Sequence, residues 1–159
     1  MPKSDERKVQ EVLANYVRAT DRRDGKAQGA LFTDDALVEI FVRTGPDTYE
    51  RAGEPLIGGA GVEYAVTLFM PQHPEGGTGH HTTSDHLIEV VGDSAHVNAQ
   101  FVVFETRADG TAHGTPGARG TVRPVESGYY DTDLRRIDGE WRIVHHRVLL
   151  DTPIALPAS

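Results

Sequence analysis

The sequence predicts an α+β domain with helices laid on one face of a strongly bent antiparallel sheet, on three observations. Apolar residues near the N-terminus, and again around position 65, recur at spacings of three and four. The second half of the chain holds two pairs of β-prone runs, each pair joined by a two-residue turn, Gly92-Asp93 and Asp138-Gly139. A lone β-prone run, residues 36–43, stands between the helical segments. At 159 residues the chain fits one domain, 1–159.

The elements follow in order. Ser4 before Asp5 and Glu6 reads as a helix N-cap with acidic residues in the first turn, where the helix dipole favours them. Val9, Val12, Leu13, Tyr16, Val17 and Thr20 form one stripe, and that helix runs to about Asp21. Asp24 caps a short second helix, Lys26 to Phe32, which Thr33-Asp34-Asp35 ends. Ala36 to Arg43 is a strand, with Tyr49 to Ala52 as a short partner. Gly58-Gly59-Ala60-Gly61 leads into a third helix ending at Pro71. His80 to Val91 and Ser94 to Arg107 form one hairpin, and Ser127 to Ile137 and Glu140 to Leu150 a second. Between them, residues 108–126 lack periodicity and read as a long loop, favoured here as a mobile lid, and 151–159 read as a C-terminal tail.

Composition narrows the chemistry. A formal net charge of -8 and the lack of a basic stripe interleaved with aromatics argue against nucleic acid as a partner. No apolar run is long enough for a membrane span and the N-terminus is charged, so a cytoplasmic protein without membrane association is expected. Without cysteine there is no thiolate metal site and no Cys nucleophile. No His-x-His, His-Glu-x-x-His, G-x-S-x-G, G-x-G-x-x-G or Walker spacing occurs, so neither metal, covalent hydrolysis nor nucleotide binding has support.

Three segments, NYVRATDRRDGKAQGALFTDDALVEI, HHTTSDHLIEVVGDSAHVNAQFVVF and SGYYDTDLRRIDGEWRIVHHRVLLD, resemble the SnoaL-like branch of the nuclear transport factor 2-like superfamily. The marks are Tyr16-x4-Asp21, LFTDDA at 31–36, His81 four residues before Asp85, Gly92-Asp93-x-Ala95, and Asp138-Gly139-x-Trp141 followed by Arg147. The resemblance implies a cone-shaped fold with a pocket for an apolar ring compound, a homodimer and no cofactor. It also implies that His81 and Asp21 match the proton-abstracting dyad of dehydratase and dehydrochlorinase relatives, and that Tyr16 matches the dehydratases' tyrosine. Asp85 stands where relatives commonly carry Asn.

Asp21 ends its helix, where the dipole disfavours an anion by about 0.3 to 1 kcal/mol, and its place at the edge of the stripe calls for a cationic or proton-sharing partner. Tyr16 lies mid-stripe, either a core tyrosine bonded to backbone or a donor to a substrate oxygen. Neighbours on a strand face opposite ways, so only one of His80 and His81 enters the pocket. Regular pairing across Gly92-Asp93 puts His80 on the apolar face with Ile88 and Val90. It puts His81 with Thr83, Asp85 and Asn98; a bulge in the hairpin would reverse the assignment in favour of His81. On the last strand Trp141, Ile143, His145, Arg147 and Leu149 share a face. Arg147 either holds a substrate oxyanion or makes an ion pair within the sheet.

The expected site is therefore Asp21, His81 and Tyr16 as catalytic residues, with Arg147, Asn98, Trp141 and His145 binding substrate. The expected function is a cofactor-independent lyase, isomerase or cyclase acting on a polyketide-, steroid- or terpenoid-like ring. His81 takes a proton from carbon, Asp21 orients the imidazole, and Tyr16 or Arg147 stabilises the oxyanion. The alternative is a non-catalytic ligand-binding or dimerisation module of the same fold.

Overall fold

The computed structural model of the protein describes residues 1–110, 117 and 119–154. The elements run α1 (Asp5–Asp21), α2 (Gly25–Gly29), β1 (Phe32–Arg43), β2 (Tyr49–Ile57), α3 (Gly58–Phe69), β3 (Gly77–Val91), β4 (Ser94–Ala108), β5 (Gly120–Ile137) and β6 (Glu140–Leu150). One six-stranded sheet has the order β2-β1-β6-β5-β4-β3. Every neighbouring pair is antiparallel except β1 and β6, which lie parallel, so the sheet is mixed where an antiparallel one was expected.

Local chemistry accounts for the boundaries. Ser4 Oγ accepts the Arg7 amide at 3.3 Å to start α1, and Asp24 Oδ1 accepts the Ala27 amide at 2.9 Å to start α2. Asp138 and Gly139, at φ 51 and 81, make the β5–β6 turn that an Asp-Gly pair favours. The helix expected over 26–32 stops at Gly29, because Phe32 already pairs with Ile143 and, with Thr33, is buried as part of β1.

Val9, Leu13 and Val17 of α1 press onto Val97, Ala99 and Phe101 of β4 and Leu134, Ile143 and Leu150 of the second hairpin. Each such side chain contributes roughly 1.5–3 kcal/mol by leaving water. α3 packs Val62 and Val66 into the same core, and α2 meets it where Gly29 and Gly59 touch backbone to backbone, leaving no room for a Cβ on either. The helices thus cover one face of the sheet, the concave one.

Three bulges decide which side chains reach that face. In β3, Asp85 and His86 together oppose one residue of β4, and Asp85 takes φ 50. Ile88 and Val90 therefore share the concave face with His81 and Thr83, not with His80. In β6, Val144 is the extra residue: Leu134 pairs with Ile143 but Asp133 with His145. Trp141 and Ile143 consequently share their face with His146, Val148 and Leu150, which corrects the expected grouping with His145, Arg147 and Leu149. The third bulge, at Val125, lies where β5 runs on past the end of β6.

The loop expected over 108–126 is shorter. β4 continues to Ala108 and β5 begins at Gly120, with Thr121 and Val122 laddered to Arg107 and Thr106 and Arg123 ion-paired to Glu105 at 2.7 Å. Pro124 is tolerated because β5 is an edge there. The expected lid falls on 111–116 and 118, outside the described residues, as does 155–159 of the tail.

Candidate active site

α1 carries Asp21 at the end opposite its N-cap. The turn that stops the helix, with Asp24 N donating to Ala19 O at 2.9 Å and Arg23 at φ 57, leaves the Asp21 carboxylate facing β3. There it accepts His81 Nδ1–H at 2.6 Å on Oδ1 and the His81 backbone N–H at 3.0 and 3.2 Å on its two oxygens. These donors offset the unfavourable helix end. Side-chain exposure is 16% for Asp21 and 13% for His81, against 68% for His80, whose Nδ1 lies 4.0 Å from the carboxylate. The bulge at Asp85 has selected His81.

A carboxylate only accepts, so the proton of a neutral His81 sits on Nδ1 and leaves the Nε2 lone pair available. Nε2 has no hydrogen-bond partner among the described residues. A groove of about 640 Å³ between the second half of α1 and the start of β3 opens onto the pair, lined by Val17, Arg18, Asp21, His80, His81 and Thr83.

Deeper in the cone, Tyr16 is 9% exposed and packs against the rings of Phe32, Tyr130 and His146, the last at 4.5 Å between centroids. Burial pushes its phenol well above the usual range, so it stays protonated and able to donate. Beside it, His146 is fully buried, and burial pushes its imidazole down to about 3. Its Nδ1 shares a 2.8 Å hydrogen bond with Thr132 Oγ1, whereas Nε2 has no partner among the described residues. The Gln28 amide donates to Thr20 Oγ1 at 2.7 Å and keeps Oε1 unpartnered in the same sense.

Glu126 completes the set. His81, Val103 and Glu126 pair in one row across β3, β4 and β5, so both ionisable side chains rise from the same concave face on either side of Val103. Burial raises the Glu126 carboxyl, and the positive charge of His81 opposes that.

The other expected site residues stand elsewhere. Arg147, Asn98 and His145 lie on the convex face, turned away from the dyad. Arg147 binds Asp131 at 3.1 Å, Asp133 at 2.8 Å and His145 Nδ1 at 2.8 Å, and His145 Nε2 donates to Glu39 at 2.8 Å. Asn98 donates to Asp131 at 3.2 Å. Trp141 is buried near the start of α1, its indole N–H 3.4 Å from Asp5, about 24 Å of helix away from Asp21. His146 and Glu126 lie outside the expected site: regular alternation along the last strand separates His146 from Trp141 and Ile143, and Glu126 falls in the stretch read as a loop. The signal for His146 was the pair His145-His146 itself, of which one had to be buried.

The family is decided by the match of residues 3–147 to the SnoaL-like domain. This chain belongs to the SnoaL-like family. A search of curated proteins gave no match. Among solved structures, a Mycobacterium tuberculosis protein of unknown function is similar at 26% identity, with TM-score 0.64 and coverage of 92% of this chain and 72% of that one. An NTF2-like protein with a cystatin-like fold from Novosphingobium aromaticivorans shares 20% identity, TM-score 0.64, over 92% and 81% of the two chains. A Catenulispora acidiphila protein solved with S-DNPA shares 19% identity, TM-score 0.64, over 91% of each chain. The SnoaL-like chain thus has the NTF2-like fold. Among its described residues no helix is long and apolar enough to cross a membrane.

Proposed function

We propose that this SnoaL-like protein is a cofactor-independent proton-transfer enzyme of the lyase, isomerase or cyclase type, acting on an apolar ring compound. The observation that carries the reading is the 2.6 Å contact between Asp21 Oδ1 and His81 Nδ1, which orients a largely buried imidazole whose other nitrogen has no partner among the described residues. His81 Nε2 takes a proton from carbon, and Asp21 holds the tautomer and stabilises the imidazolium that forms. An imidazole removes protons from carbon that a neighbouring carbonyl acidifies, so the ring carries one. Tyr16, a protonated donor in an apolar wall, stabilises the enolate oxygen. The aromatic wall of Tyr16, Phe32 and Tyr130 suits a flat ring, and the S-DNPA complex of the Catenulispora acidiphila neighbour supports a ligand of that kind.

The test is a panel of polyketide, steroid and terpenoid ring ketones, screened by thermal shift and then for consumption. His81→Ala is expected to keep binding and stop consumption. Hits that bind and are left unchanged by the wild-type protein favour a binding module instead. A homodimer through the convex face, where Phe41, Tyr129 and Leu149 are partly exposed, belongs to the same reading; sedimentation showing only monomer at micromolar concentration refutes it.

A further inference from the structure

We infer that Glu126 is a further catalytic residue on the concave face that carries His81, a carboxylic acid that delivers a proton to the oxygen leaving the ring while His81 removes one from carbon. The inference rests on the proposed role of His81 and narrows the reaction to elimination of water from a β-hydroxy ring ketone.

The geometry comes from the sheet. His81 and Glu126 are two strands apart in one cross-strand row, which sets their Cα atoms about 9.6 Å apart with Val103 as the floor between them. A six-membered ring resting on Val103 has one side chain at each edge. The bulge at Val125 breaks the ladder immediately before Glu126 and re-aims the strand there. Among the described residues Glu126 has no hydrogen bond or ion pair, although it is partly buried; a carboxyl with no structural partner, facing a dyad, has the freedom to exchange a proton. Tyr16 and Asp21 of α1, His81 of β3 and Tyr130 of β5 are the titratable groups around it. Burial already raises its proton affinity, and water displaced by a substrate raises it further.

The step balances without a co-reactant. His81 Nε2 receives the α-proton, the electrons of that C–H bond form the enolate and then the C=C bond, and the β C–O bond breaks. Glu126 gives its O–H proton to the departing hydroxyl, which leaves as water. His81 then returns its proton to solvent and Glu126 takes one up.

Two measurements test this on the whole protein. The first needs no substrate: ¹³C NMR of the Glu126 carboxyl, with ring NMR of His81 in wild type and Glu126→Gln. A Glu126 midpoint above the ordinary value of about 4.3, and a His81 midpoint that falls when the charge is removed, are expected. An ordinary Glu126 midpoint with an unmoved His81 overturns the inference. The second uses hydroxycyclohexanone, with its hydroxyl β to the carbonyl, in D₂O. Glu126→Gln is expected to keep deuterium exchange at the α-carbon while enone formation falls about 100-fold; His81→Ala loses both. Enone formation at the wild-type rate in Glu126→Gln overturns the role of Glu126 and leaves that of His81 standing. Exchange that persists in His81→Ala removes the reading beneath it.

Discussion

His145 and His146 are neighbours on β6 that live in different chemistry. On the convex face His145 has both ring nitrogens engaged, by Glu39 and by Arg147, within a belt that also ties Arg147 to Asp131 and Asp133. On the concave face His146 is fully buried, held at one nitrogen and unpartnered among the described residues at the other. The two faces hold the same residue types, and partnership separates them. Where every donor has its acceptor the groups stabilise the sheet; where a donor or lone pair is left over in a dry wall, chemistry has something to use.

The sharpest way to break that contrast is on the dyad. Asp21→Asn leaves the shape intact but weakens the orientation of His81, and kcat/KM for any ring ketone the wild type consumes is expected to fall about 10²- to 10⁴-fold. A loss under tenfold would mean the 2.6 Å contact is structural. Next is the histidine pair. His146→Ala opens a cavity in the packed aromatic wall and is expected to cost about 3 kcal/mol by denaturant unfolding, His145→Ala less than about 1 kcal/mol.

The buried member of the pair also makes stability depend on acid. His146 titrates near 6.5 unfolded and about 3 folded, so between those values the unfolded chain binds the extra proton and its contribution to stability is lost as pH falls. This adds a slope of about 1.4 kcal/mol per pH unit, absent in His146→Gln; parallel pH–stability curves for the two proteins would contradict the burial of a neutral imidazole. The smallest effect is expected from Arg147→Met. Loss of its pairs with Asp131 and Asp133 costs about 1–2 kcal/mol in a thermal melt while turnover stays within about threefold. Turnover that collapses instead would place function on the convex face.

The α1 stripe, the caps and both hairpin turns were legible because helix period, Ser and Asp caps and Asp-Gly turns are local signals. So was the tension at Asp21, a carboxylate at the wrong end of a helix dipole. The parallel pairing of β1 with β6 was not, since a ladder between residues about a hundred positions apart leaves no local trace. The bulges at Asp85, Val125 and Val144 were equally silent in the alternation, and they put Arg147 and His145 outside and His146 inside. Glu126 was hidden by a Gly- and Pro-rich stretch whose far end is in fact a strand.

The irregularity at Asp85 has an evolutionary side. Because strand facing depends only on odd or even counting from the hairpin turn, the choice of base between His80 and His81 is set by whether one residue is present several positions away. A chain that lost that residue would keep both histidines and the aspartate in its sequence yet offer the other imidazole to Asp21. Relatives compared by aligned residue identity would then look alike at every catalytic position while presenting different nitrogens to the substrate. For this hairpin, gaps carry more information about chemistry than substitutions do.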